Sequence, residues 1–127
     1  MKATIKALLC IALLATYSSC IPIGGVFRKA DLGLPDKIFF PKEGGERIYF
    51  AKKRIAYVTI SESYKDGYRK YHDDNGFECI EYKWITIKYN DYILIVKVEP
   101  APDDIQRSMR IESVNAYDYQ ETLVYQN

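Results

Sequence analysis

The chain has 127 residues, which is the length of a single domain. Its 18 Lys and Arg residues against 17 Asp and Glu residues give a formal charge of +1, which argues against a general nucleic-acid binder with a basic face. A hydrophobic content of 48% is enough to build a core, while one His and three Cys argue against most metal sites and most histidine-based catalysis.

The first segment, residues 1–19, is predicted to be a cleaved signal peptide. Lys2 and Lys6 precede an apolar run at residues 7–15, which is too short to span a bilayer because a spanning helix needs roughly 20 residues. The motif Tyr-Ser-Ser-Cys, which ends at Cys20, resembles a bacterial lipobox. That resemblance implies cleavage before Cys20 and a lipid anchor on its thiol and amine. The alternative is ordinary secretory cleavage that leaves Cys20 as a plain thiol.

Residues 20–34 are predicted to be a short tether, because residues 21–34 contain three Gly and one Pro and show no clear period. The folded domain is predicted at residues 35–127. Turn signals there separate short runs of alternating or β-branched residues, and residues 62–77 form the longest irregular stretch. About seven short strands without a helical period predict an all-β protein, a β-sandwich. The predicted strands are residues 37–40, 47–51, 55–61, 78–88, 92–98, 108–114 and 121–126.

Several short motifs occur in an order that resembles the BACON family of Bacteroidetes, an immunoglobulin-like β-sandwich module. Residues 40–46 match F-x-x-x-G-G-E, and residues 84–87 match W-[IL]-x-[IV]. Further matches are L-x-I-x-V-like at 94–100, R-x-x-x-I at 107–111 and the closing I-x-V-x-Q-like stretch at 123–126. The chain is most similar to small single-domain lipoproteins with such a fold. The resemblance implies an immunoglobulin-like sandwich over most of the chain.

The search for catalytic chemistry finds no site. His72 is the only His and lies beside Asp73 and Asp74, where a solvated loop residue is expected. No nucleophile elbow, zinc spacing or phosphate-binding loop is present in the sequence. We therefore predict that the protein is not an enzyme and that it uses no cofactor and no metal.

Exposed aromatic residues are the candidate binding site. Tyr64, Tyr68 and Tyr71 fall in the long central stretch, and Tyr117 and Tyr119 fall in the last predicted turn. Tyrosine rings suit both the apolar faces of sugars and protein interfaces. The alternative is that these rings cap loop ends and pack on the sandwich.

Two further residues are expected to be structural. Cys79 lies in an apolar alternating stretch and is predicted to be a buried small hydrophobe without a disulfide partner. Trp84, in the W-[IL]-x-[IV] motif, is expected in the core.

The BACON resemblance implies attachment to a glycan or to mucin. The predicted function is therefore that of a non-catalytic envelope protein, anchored to the outer membrane through lipid on Cys20, that binds a glycan or a protein. The side of the outer membrane is left open. The alternative is a structural spacer or an accessory subunit of a larger envelope assembly with no ligand of its own.

Overall fold

The computed structural model describes residues 28–61, 67–102, 105–116 and 118–127. Within these ranges the regular secondary structure consists of ten β-strands. In chain order they are β1 (Arg28–Lys29), β2 (Lys37–Phe40), β3 (Gly45–Phe50), β4 (Tyr57–Ile60), β5 (Arg69–His72), β6 (Glu78–Tyr82), β7 (Ile85–Tyr89), β8 (Ile93–Val98), β9 (Arg107–Asn115) and β10 (Asp118–Gln126). In the described ranges, no helix has the length and apolar character needed to cross a bilayer.

The strands form two sheets. In sheet 1, β10 pairs with β9 and β9 with β4 in antiparallel fashion, while β1 and β2 both run parallel to β10 along its other edge. Sheet 2 is antiparallel throughout and has the order β3-β8-β7-β6-β5. The predicted all-β architecture with two sheets, consistent with a β-sandwich, is confirmed.

The core lies between the two sheets, because alternate residues of each strand face inward. On β7 and β8 the inward residues are fully buried, as the alternating pattern predicts. The largest contributions come from aliphatic side chains of both sheets, namely Ile38, Val58, Ile60, Ile80, Ile85, Ile87, Leu94, Val96, Ile111 and Val124.

Packing begins earlier in the chain than the predicted domain boundary at residue 35. Strand β1 pairs with β10, and Leu32 and Leu34 belong to the core with exposures of 0% and 5%. The last part of the stretch that the sequence assigns to a tether, residues 28–34, is therefore part of the packed fold. The sequence pattern hides this because Leu32 and Leu34 flank a glycine in a segment without strand signals.

Two strands were missed by the sequence analysis, and one predicted strand is two. Strand β5 lies inside the stretch expected to be irregular. Residues 78–88, predicted as one strand, form a hairpin in which Lys83 has a φ of 53° and Tyr82 pairs with Ile85. A two-residue hairpin turn needs positive φ, which usually requires Gly, Asn or Asp. Lys83 gives no such signal, so the turn was not predicted.

The predicted Gly-Gly turn between β2 and β3 is confirmed. Gly44 has a φ of +80°, and a Cβ at this position would collide with the carbonyl oxygen of Val98 and lie 2.9 Å from the carbonyl carbon of Glu99. Only glycine allows this approach of the turn to the end of β8.

Candidate functional site

The five candidate tyrosines are distributed over separate parts of the fold. Tyr64 and Tyr117 lie outside the described residues. Tyr68 is half-buried and packs against the core, Tyr71 lies on the outer face of sheet 2, and Tyr119 lies on the outer face of sheet 1. The structure therefore does not bring Tyr68, Tyr71 and Tyr119 together into one binding surface.

Tyr71 is held by neighbours on its own sheet. Its hydroxyl donates a hydrogen bond to Oε1 of Glu81 at 2.8 Å, and Glu81 also pairs with Arg69 at 3.3 Å. The hydrogen bond to Glu81, together with burial and the charge of Glu81, raises the pKa of Tyr71 to about 12. Cys79 lies directly opposite Tyr71 on β6 and is fully buried, as predicted. Tyr71 thus covers Cys79, and its polar tip is already used within the chain.

Tyr119 lines an open notch at the edge of sheet 1. Strand β1 leaves β10 after Lys29, and β2 joins it only at Lys37, so residues 30–36 loop away from the edge. The resulting notch has a volume of about 720 Å³. Lys29 and Lys37 lie along it together with the acidic residues Asp31, Asp36 and Glu121 and the ring of Tyr119.

The loop over the notch is fixed by inward-facing polar side chains of β10. The side-chain amide of Gln120 accepts hydrogen bonds from the N–H groups of Leu32 at 2.9 Å and Leu34 at 3.2 Å, and it donates one to the carbonyl of Leu34. The hydroxyl of Thr122 donates to the carbonyl of Pro35 at 2.7 Å. These bonds hold the loop beside the sheet without strand pairing, so the notch is a built feature of the fold.

The main chain of Glu121 faces the notch. Alternate residues of a strand direct their N–H and C=O groups to the same edge. On this edge the carbonyl of Tyr119 accepts from Ala30 N and the N–H of Leu123 donates to Asp36 O, both at 2.8 Å. Glu121 lies midway between these two residues, at a position where no described strand pairs with β10 on this side. The notch therefore combines a main-chain donor and acceptor with an aromatic ring and charges of both signs.

Aromatic rings continue across the outer face of sheet 1. The strand register places Val114 between Tyr57 and Tyr119, and Val114 is only 4% exposed although it faces outward. At the other end of β10, Tyr125 stacks on Phe39 with ring centroids 5.2 Å apart, and Phe39 is 62% exposed. Tyr119 and Tyr125 are six residues apart on one strand, a span of about 20 Å.

Sequence reasoning missed Phe39, Tyr57 and Tyr125 as surface rings. One usable signal was the strict alternation in β10, where Gln120, Thr122, Val124 and Gln126 are buried and the odd-numbered residues face outward. The other rings depend on which strands pair with β10, and that pairing is not visible in the local pattern.

The acidic and histidine residues of the β5–β6 hairpin serve the hairpin itself. His72 is exposed on β5, not in a loop, and its Nδ1 lies 3.1 Å from Oε1 of Glu78. Asp73 accepts hydrogen bonds from the N–H groups of Asn75 and Phe77, each at 2.9 Å. The bond from Phe77 is the main cause that lowers the pKa of Asp73. The described residues contain no group of three or more His, Cys, Asp or Glu side chains that could hold a metal ion.

Trp84 has a structural environment at the opposite end of the sandwich from the notch. It is half-buried against the core, and the guanidinium of Arg107 lies 4.6 Å from its ring centroid. Arg107 Nε also donates to Oε1 of Gln126 at 2.7 Å. Gln126 in turn donates to the carbonyls of Pro41 at 3.1 Å and Glu99 at 2.8 Å, as expected for a residue that satisfies main-chain groups at the end of the last strand.

Comparison with known proteins adds information on the fold. No protein-family model and no curated protein matches the chain. An NMR structure of a protein from Bacteroides thetaiotaomicron is similar, with a TM-score of 0.51 and 19% identity over 80% of this chain and 84% of that chain. At this level of identity the similarity concerns the fold alone.

Proposed function

We propose that the chain is a non-catalytic envelope protein with a BACON-like, immunoglobulin-like sandwich that binds a glycan on sheet 1. In this proposal residues 1–19 are a signal peptide, and Cys20 carries the lipid that anchors the protein to the outer membrane. The notch beside Tyr119 is the central part of the binding surface.

The observation that carries the proposal is the combination of groups in the notch. A sugar presents an apolar face of C–H groups and a rim of hydroxyls, and it binds best where an aromatic ring lies beside hydrogen-bonding groups of both kinds. Tyr119 supplies the ring, Asp31 and Asp36 supply acceptors, and Lys29 supplies a donor. The main chain of Glu121 supplies one donor and one acceptor.

The length of the aromatic surface supports an extended ligand. Phe39 and Tyr125 lie on the same outer face as Tyr119, about 20 Å along β10. Between the two aromatic ends, Arg110 pairs with Glu121 at 3.6 Å and provides further polar groups. A linear oligosaccharide could contact both ends at once, whereas a single sugar could contact only one.

A second candidate function, a structural or accessory subunit, is favoured by a different observation. Strand β3 forms an edge of sheet 2 and carries Ile48 and Phe50, which are 54% and 70% exposed. Exposed apolar side chains on an edge strand are typical of surfaces that pair with another chain.

A glycan array with residues 21–127 tests the main proposal, since all described core residues lie within this range. We expect binding that Tyr119→Ala weakens by at least about tenfold, because an aromatic anchor at the centre of a site carries much of the affinity. The matched control is Tyr92→Ala, which removes another exposed tyrosine far from the notch. Absence of binding to any glycan at high protein concentration, or equal loss in both variants, would overturn the proposal.

A further inference from the structure

The free edge of β3 has a short, well-defined set of hydrogen-bonding groups. Ala51 donates its N–H to the carbonyl of Tyr92 at 2.8 Å, which continues the pairing of β3 with β8. Because N–H and C=O groups alternate along a strand, Glu46, Ile48 and Phe50 direct theirs to the other side. No described strand pairs with that side.

The chain itself closes this edge at one end. The N–H of Lys52, which faces the same side, donates to the carbonyl of Leu32 at 2.7 Å. At the other end, β3 begins at Gly45 directly after the Gly44 turn. The open edge is therefore limited to three outward-directed residues and is centred on Ile48.

We propose that a second copy of this chain pairs with β3 in antiparallel fashion, with a two-fold axis at Ile48. In this register Ile48 faces its own copy and Phe50 faces Glu46 of the other copy. Each of these pairs exchanges two hydrogen bonds, so every open N–H and C=O group of the edge is used. The two five-stranded sheets then join into one continuous sheet.

Charge and main-chain groups select this register over its neighbours. A shift by one pair in one direction places Arg47 opposite Arg47 of the other copy, which is unfavourable because like charges directly opposite each other repel. A shift in the other direction places Glu46 opposite Lys52, whose N–H is already bonded to Leu32. In the centred register Arg47 lies opposite Tyr49, and no like charges face each other.

The apolar side chains support the same arrangement. Ile48 pairs with Ile95 within the sheet, and Phe50 pairs with Ile93. Pairing at Ile48 continues this row into the other copy, so that the two exposed isoleucines and the neighbouring Ile95 side chains form one apolar surface. Burial of exposed apolar area is the main favourable contribution to such association.

The experiment is analytical ultracentrifugation of residues 21–127 over a range of concentrations, with Ile48→Lys as the test variant. We expect a concentration-dependent dimer whose association constant falls more than about tenfold in Ile48→Lys, because the substitution juxtaposes two positive charges at the axis. The matched control is Ile105→Lys, which makes the same change at a residue of similar exposure, 48%, and should leave the dimer intact.

A second measurement guards against a folding defect in Ile48→Lys. In Ile48→Cys, a short bis-maleimide should link two copies at the axis, whereas Ile105→Cys should give little product. A wild-type protein that stays monomeric at all concentrations would overturn the proposal, and so would a dimer that Ile48→Lys leaves unchanged. The first of these results would leave the edge to a strand of a different protein.

Discussion

The side-chain amide of Gln120 bonds to the main chain of Leu34 as a neighbouring strand would. Its oxygen accepts the N–H of Leu34 at 3.2 Å, and its nitrogen donates to the carbonyl of the same residue. The oxygen also accepts the N–H of Leu32 at 2.9 Å. A single side chain therefore satisfies three main-chain groups beside the notch, where the described strands leave a gap in the edge of sheet 1.

We expect Gln120→Ala to lower the free energy of unfolding by about 2–4 kcal/mol, because buried main-chain groups lose their partners and each such loss costs about 1–3 kcal/mol. Chemical denaturation measures the change. The control is Gln106→Ala, which removes the same side chain from an exposed position and should change stability by less than about 0.5 kcal/mol. Equal stability of Gln120→Ala and the wild type would contradict the role given to this amide.

Gln120 also shows where sequence reasoning reaches its limit. The alternation of β10 predicts that Gln120 faces inward, but a polar residue in that position gives no indication of its partners. Those partners, Leu32 and Leu34, lie more than eighty residues earlier in the chain. The notch was therefore not predicted, although Tyr119 beside it was named as a candidate for binding.

Most of the strand order was predictable for a local reason. Strands such as β2, β8 and β9 are bounded by Pro, Gly or Asn-Asp signals and alternate clearly, so their existence follows from short-range patterns. The hairpin at Lys83 and strand β5 have no such signals. Lys83 adopts a positive φ without being Gly or Asn, and the residues of β5 are mostly charged or polar.

The guanidinium of Arg107 connects three parts of the sandwich at the end opposite the notch. It donates to Gln126 and to the carbonyls of Glu99 and Pro100, and it stacks on Trp84. We expect Arg107→Lys to lower the free energy of unfolding by about 1–2 kcal/mol, because an ammonium group cannot keep the stacked, forked geometry.

The matched control for that change is Arg110→Lys. Arg110 is exposed and contacts Glu121 at 3.6 Å across the surface of sheet 1. Surface ion pairs of this kind contribute little, so we expect a change below about 0.5 kcal/mol. If the two substitutions had the same effect in chemical denaturation, the contacts of Arg107 would have no special weight.

The thiol of Cys79 should be unreactive in the folded protein. Cys79 is fully buried, and burial is the main cause that raises its pKa. In residues 21–127 it is the only cysteine, so a colorimetric thiol reagent reports on it directly. We expect labelling at least about a hundredfold slower than in the unfolded chain, since the thiolate is scarce and access requires opening.

A variant of the covering residue separates burial from chemistry. Tyr71→Ala removes the ring opposite Cys79 and should accelerate labelling, whereas Tyr92→Ala should not. Rapid labelling of the wild-type protein under native conditions would mean that Tyr71 does not shield the thiol.

The hydrogen bond from Tyr71 to Glu81 predicts a change in stability at alkaline pH. This bond is the largest cause that raises the pKa of Tyr71 from 10.0 to about 12 in the folded protein. Below pH 10 the tyrosine is protonated in both states, and its contribution to stability is complete. Between pH 10 and about 12 the unfolded chain releases this proton first, so the contribution is lost as the pH rises.

Comparison with Tyr71→Phe isolates this contribution, because the variant keeps the ring over Cys79 and lacks the ionising group. The pKa values of Tyr49, Tyr68 and Tyr89 are also raised, mainly by burial, so both proteins should lose stability in this range. We expect the wild type to lose it more steeply than Tyr71→Phe in denaturation experiments between pH 10 and about 12. An NMR titration should show the pKa of Tyr71 moving toward its ordinary value in Glu81→Gln, since an amide oxygen accepts the hydrogen bond without a negative charge. A Tyr71 that titrates near pH 10 in the wild type would show that the bond to Glu81 does not hold its proton.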